Sequence, residues 1–188
     1  MVSTMSRDFL FLLASTRRPG VVGNTETLAR RAARSLGPDV GQTWLSLSEH
    51  RLAPFIDQRH DAGTYPPPSG DEAKLLQATM AATDIVFVSP VYWSGAPSPL
   101  KLYLDHWSGW MRTPDVPFSE AMAQKRLWVV TTNGDRAKAE PMLTSYRMCA
   151  EFLSMRWGGA LWGPGGPPGR VDKEAHALAA ADAFFVDR

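Results

Sequence analysis

The chain has 188 residues, about the length of one ordinary domain and enough to bury a core several elements thick. Its 20 Lys and Arg nearly cancel its 19 Asp and Glu, so the net charge of +1 excludes a field strong enough to hold nucleic acid or an anionic membrane. The one cysteine, Cys149, permits no internal disulfide, and no Cys or His cluster has metal-ligand spacing, so a cytoplasmic protein without a metal is expected.

Phe9–Leu13 is a continuous apolar run and predicts a first strand; it is too short for a membrane span or for the core of a secretory leader. The turn-rich STRRPGVVGNT follows, and then ETLARRAARSL, where Leu28, Ala29, Ala32 and Leu36 recur at helical spacing. Thr43–Leu47 predicts a second strand after the Gly37-Pro38-Asp39 break. Ala53 to Gly70 is polar, holds the run Pro66 to Pro68, and predicts a long surface excursion.

Asp71–Ala82 predicts a helix with Leu75, Leu76 and Thr79 on one face, leading into the strand Ile85–Val88. A strand apolar at every position is one covered on both faces. Leu100, Tyr103, Leu104, Trp107 and Met111 mark an amphipathic helix, and Leu127–Thr132 repeats the buried-strand pattern. Pro141 suits the first turn of a helix carrying Leu143, Tyr146, Ala150 and Leu153. Arg156–Trp162 predicts a fifth strand, GPGGPPG a loop, and Val171–Val186 a closing helix. Five strands alternating with helices imply a parallel α/β sheet with right-handed crossovers and helices on both faces. In such sheets ligands sit beyond the carboxyl ends of the strands.

Two loops there carry chemistry. After the first strand, Ser15, Asn24 and Thr25 offer side-chain hydrogen bonds, Arg17 a charge, Gly20 and Gly23 close backbone approach, and the following helix its N-terminal amides. That set suits an anion, although Asn24 or Thr25 capping a helix explains them equally. With no Walker lysine, a terminal monophosphate fits better than a triphosphate. After the third strand, Ser89-Pro90-Val91-Tyr92-Trp93-Ser94-Gly95 places two aromatics in a proline-stiffened loop, suited to a flat ligand or to packing on the sheet or on a neighbour.

The pairing of STRRPGVVGNT with SPVYWSGAPSPLKLYLD resembles the NADPH-dependent FMN reductase family of flavodoxin-like proteins, from about Phe9 to the final helix. The resemblance implies a flavodoxin-like three-layer sandwich over residues 1–188, with a five-stranded parallel sheet in the order 2-1-3-4-5. It implies that Ser15, Arg17, Asn24 and Thr25 surround the FMN phosphate and that Pro90, Val91, Tyr92 and Trp93 lie along the ring and ribityl chain. Thr132, Asn133 and Gly134, in the stretch from Thr131, would touch the other edge. The implied activity passes hydride from NADPH or NADH to FMN and on to a small-molecule acceptor, such as a quinone, nitro or azo compound. Such alternation would be ping-pong, with no side chain acting as acid or base.

A homodimer is implied as well, with exposed Trp107, Trp110 and Met111 beside the excursion burying the site against a second subunit, though the spacing of Trp107 is also that of a core residue. The sequence departs from many relatives in the longer stretch Pro19 to Gly23, and the cysteines of iron–sulfur members are missing. His50, His60, His106 and His176 are scattered as surface or packing residues, and Cys149 falls inside a predicted helix as an inert thiol. Two other readings of the same fold are an electron carrier without a nicotinamide reaction and a flavin-free regulatory protein.

Overall fold

The computed structural model describes residues 7–186; the ends of the expected 1–188 domain, residues 1–6 and 187–188, lie outside the described residues. Five strands, β1 (Asp8–Leu13), β2 (Gly41–Ser46), β3 (Asp84–Val88), β4 (Arg126–Asn133) and β5 (Arg156–Pro164), form one sheet. It is parallel throughout and runs β2-β1-β3-β4-β5, the order the family resemblance implied. Because successive strand residues point to opposite faces, the apolar runs supply two cores. Leu10, Leu12, Ile85, Phe87, Leu127 and Val129 face one way, toward the helices α2 (Gly70–Ala81), α3 (Ser98–Trp110), α4 (Phe118–Ala123) and α5 (Glu140–Phe152). Phe9, Phe11, Val86, Val88, Trp128 and Val130 face the other, toward α1 (Asn24–Ala33) and α6 (Ala175–Asp182).

Helix α4 falls between Met111 and Leu127, where the sequence reading assigns no element. Six residues are too few for periodicity to register, and its two buried side chains, Phe118 and Met122, reveal it only once packed. The closing helix is shorter than the expected Val171–Val186. A short 3-10 turn at Val171–Lys173 precedes α6, which ends so that Phe184 and Phe185 turn inward onto the Trp128 ring at 5.2 and 5.3 Å.

Trp128 organises the lower half of this face. Its Nε1 donates to Asp84 Oδ1 at 2.8 Å, and Asp84 also accepts from Arg7 and from the Thr83 hydroxyl. Burial alone would push the Asp84 carboxyl up, but the bonds from Arg7, Trp128 and Thr83 outweigh it and hold the group below the usual carboxylate range. Beside Trp128 the β4–β5 register slips, so that Leu127 pairs with Trp157 and Trp128 with Gly159. Gly158 is left beneath the indole, where a Cβ would lie 2.3 Å from a ring carbon.

The excursion before α2 is strapped down. His106 on α3 bonds Glu72 through Nδ1 and the Ala53 carbonyl through Nε2, each at 2.9 Å, and Trp110 Nε1 donates to the same Glu72 oxygen. Phe55 stacks on Tyr65, whose ring lies against Gly109, and the Tyr65 hydroxyl accepts from Gln58 N–H at 2.8 Å. This corrects the expectation of exposed aromatics. Trp107 and Trp110 are buried among Tyr103, Phe87 and Phe118, and Met111 is half-buried against the same core. No helix among the described residues is long and apolar enough to cross a membrane.

Candidate cofactor site

The sheet fixes where the loops meet. Ala14 N–H donates to Val88 O and Ser89 N–H to Val130 O, so β1, β3 and β4 end at a common level, while β4 and β5 stay paired as far as Asn133 and Pro164. Behind this rim the buried Ser89 hydroxyl bonds Tyr146 at 2.9 Å. Burial pushes the Tyr146 phenol up, so it remains a neutral anchor for the start of the third-strand loop.

The loops after β1, β3, β4 and β5 surround a cavity of about 250 Å³. Of the expected residues, Ser15, Arg17, Asn24 and Thr25 line one end, Pro90, Val91 and Tyr92 one side, and Thr132, Asn133 and Gly134 the other. Tyr92 OH accepts from Thr16 Oγ1 at 3.3 Å, joining the two motif-bearing loops. Trp93 is not brought into the cavity. It and Ser94 have φ of +51° and +60° in a two-residue turn closed by mutual Tyr92–Gly95 backbone bonds, which leaves the indole fully exposed. Left-handed backbone at such residues costs about 1–2 kcal/mol each, a strain of the kind that clusters at ligand-handling loops.

The polar end is built on the start of α1. Its first helical bond is Thr27 N–H to Gly23 O, and no side chain caps it, so the amides of Asn24, Thr25 and Glu26 have no partner in the helix. The Asn24 side chain is not free to donate, contrary to expectation. Its Nδ2 donates to Gly166 O and Pro167 O, and its Oδ1 accepts from Val171 N–H, which ties the loop after β5 to α1. Asn133 is half engaged, its Oδ1 accepting from Trp162 Nε1 and its Nδ2 donating to Asp135 O, which leaves one Nδ2 hydrogen free. Thr25 and Thr132 share one bond of 2.6 Å between their hydroxyls. One proton serves that bond, so one O–H of the pair remains to donate outward.

Arg17 has no ion pair or side-chain hydrogen bond among the described residues. Glu26, which also lines the cavity, has its charge met by Arg30 at 2.7 Å. Gly134 N–H also has no partner among the described residues, and a Cβ there would have no described atom within contact distance. The sequence reading did not assign Leu13, Glu26, Val88, Gly165 and Gly166 to the cavity. The glycine-rich run after β5 was a usable signal, since that loop also leaves a strand's carboxyl end; Gly165 packs so closely on Asn133 that a Cβ would lie 2.9 Å from its Cα. The cavity therefore joins an end rich in donors without partners among the described residues to a wall made by Pro90, Val91 and Tyr92.

Known proteins share this arrangement of elements. A family model described as flavodoxin-like fold matches residues 8–183. A protein of Bacillus subtilis (strain 168), provisionally named NAD(P)H-dependent FMN-containing oxidoreductase YwqN, is 29% identical over 162 residues, covering 85% of this chain and 87% of its own. The solved structure of a Trp repressor binding protein from Bacillus subtilis superposes with a TM-score of 0.72 at 24% identity, covering 96% of this chain and 99% of that one. RosB with bound 8-demethyl-8-formylriboflavin-5′-phosphate superposes with a TM-score of 0.74 at 15% identity, covering 95% and 76% of the two chains. With its whole sheet and both helical layers inside the matched span, the chain belongs to the flavodoxin-like fold family.

Proposed function

We propose that the protein is an NAD(P)H-dependent oxidoreductase that holds FMN in this cavity and passes electrons to a small flat acceptor such as a quinone, nitro or azo compound. The observation that carries this reading is the union, in one cavity, of three uncapped helix amides and the unpaired Arg17 with a flat wall at Pro90–Tyr92. A phosphate suits the first and a planar ring the second. The flavin chemistry described for the YwqN relative agrees with it.

FMN bound there supplies the hydride acceptor at N5 and the return of reducing equivalents to a second substrate. The chain's own part is binding and shielding. Ser15, Arg17, the free hydroxyl proton of the Thr25–Thr132 pair and the α1 amides would hold the phosphate. Pro90, Val91 and Tyr92 would support one side of the ring, and Gly134 N–H would donate at the other. Among the described residues Glu26 is the carboxylate that lines the cavity, and it is engaged by Arg30. Nicotinamide and acceptor would use the same open side in turn, giving ping-pong kinetics.

The test is a visible spectrum after incubation with FMN and desalting, followed by anaerobic NADPH or NADH. A retained flavin band that bleaches is the expected result. A colourless protein overturns the reading, and a retained band that neither NADPH nor NADH bleaches favours the electron carrier.

The functional unit we propose is a homodimer formed on the outer face of α3 and α5. A groove of about 570 Å³ there is lined by Leu104, Trp107, Met111 and Cys149 together with Met148 and Phe152, which stand 63% and 74% exposed. An exposed apolar patch of this kind suits a two-fold interface, in which the same patch of each subunit meets the other. Burial pushes the Cys149 thiol up, so it serves there as an apolar side chain. Phe152→Glu is expected to convert dimer to monomer in sedimentation with flavin content retained. A wild-type monomer at tens of micromolar would sink the dimer.

A further inference from the structure

A second hollow of about 270 Å³ adjoins the first across Ser15 and Arg17, which line both. One wall is the lengthened stretch from Arg17 to Val22. The other is the end of β2 and the turn after it, with Trp44, Ser46, Ser48 and Glu49. At its base is a layered stack: the Phe11 and Trp44 rings lie 3.9 Å apart and 3° from parallel, and the Arg30 guanidinium sits 4.5 Å over Trp44. Arg30 is the outermost layer and lines the hollow. A guanidinium is planar, and one held over a ring at the edge of a hollow can take an aromatic base on its own face.

The charges of the hollow are unevenly matched. Arg30 is paired with Glu26. Arg17, Arg18 and Glu49 make no ion pair or side-chain hydrogen bond among the described residues, and Ser46 and Ser48 bond each other at 3.0 Å. Two unpaired guanidiniums adjacent in the chain suit a phosphate group. An unpaired carboxylate at the end of the second strand suits a sugar diol, which donates to it. A bare phosphate would leave both Glu49 and the stack unused.

We infer that this hollow takes an adenosine 5′-phosphate group, with its purine on Arg30, its ribose hydroxyls at Glu49 and Ser48, and its phosphate between Arg17 and Arg18. The hollow's contents follow from its own residues, but the source of the group rests on reading the neighbouring cavity as the flavin site. It is either the second half of a flavin adenine dinucleotide continuing past Arg17, or the adenosine half of the reducing dinucleotide. Both present the same chemistry to these side chains.

The experiment is a calorimetric titration of 5′-AMP, and in parallel of inorganic phosphate, into the protein with and without FMN. One-site binding of 5′-AMP, clearly tighter than that of phosphate, is expected. Arg18→Ala should weaken it about tenfold, the equivalent of ~1.4 kcal/mol, with flavin content unchanged because Arg18 lines the second hollow alone. No binding, binding no tighter than phosphate, or binding indifferent to both Arg18→Ala and Arg30→Leu overturns the inference. FAD held about tenfold tighter than FMN, with the gap closed by Arg18→Ala, assigns the group to the cofactor. Equal affinities, with Arg18→Ala raising KM for the reducing dinucleotide about tenfold, assign it to the reductant. A protein that binds 5′-AMP but no flavin leaves the hollow's assignment standing and removes the proposed function.

Discussion

Arg17→Glu is expected to weaken FMN binding about a hundredfold while leaving riboflavin binding and the melting temperature nearly unchanged. Arg17 is exposed and lines the polar end of the cavity, and its side chain has no ion pair or hydrogen bond among the described residues, so its loss costs the fold little. A hydrogen bond to a charged group contributes about 1.5–3 kcal/mol, and reversing the charge adds repulsion of a dianion; ~2.7 kcal/mol is a hundredfold. Riboflavin has the ring but no phosphate, so the comparison separates the two ends of the site. Raising ionic strength should narrow the difference between wild type and variant, because the cavity end is open to solvent. If FMN and riboflavin lose affinity equally, the phosphate does not lie at α1 and the orientation proposed for the ligand is wrong.

Gly158→Ala is expected to cost about 3 kcal/mol, the upper part of the range for forcing extra atoms into a packed core. The added Cβ would lie 2.3 to 2.6 Å from three atoms of the Trp128 indole. That ring cannot yield easily, since it is fully buried, edge-packed by Phe184 and Phe185, and bonded to Asp84. For a chain of this size the melting temperature should fall by roughly 6–12 °C. Trp128→Leu alone should also destabilise, but the double variant should be better than the sum, because the smaller side chain vacates the space the new methyl needs. A single variant melting within about a degree of wild type would mean that the strand pair shifts freely at the bulge.

Most of the frame was legible because burial on both faces of a parallel strand writes an unbroken apolar run. Ile85–Val88 and Leu127–Thr132 read correctly for that reason, and the alternation with amphipathic helices such as that of Leu100 and Tyr103 led to the parallel sheet. The misplaced features share a different cause. Trp107 and Trp110 were expected at a surface, yet a large aromatic at helical spacing looks the same whether its partner is another subunit or the Phe118 of an unforeseen short helix. Asn24 and Asn133 line the cavity, but the Asn24 amide is committed to the loop after β5, with partners more than a hundred residues away, and the Asn133 amide is half engaged by Trp162 and Asp135. Trp93 stands outside because the two residues at 93 and 94 form a tight turn without the glycine that usually announces one.

By itself, the sequence determined the number and type of the main elements, the parallel sheet and the loops in which the site lies, since these depend on local periodicity and on the strand ends. Only the tertiary structure decided which donors are free. Hydrogen-bond capacity is a finite resource of each side chain, and whether Asn24 spends it on a ligand or on Val171 depends on contacts between distant parts of the chain. The second hollow has the same origin: Phe11, Arg30 and Trp44 lie on three different elements, and only the register of β1 with β2, which pairs Phe11 with Trp44, stacks them.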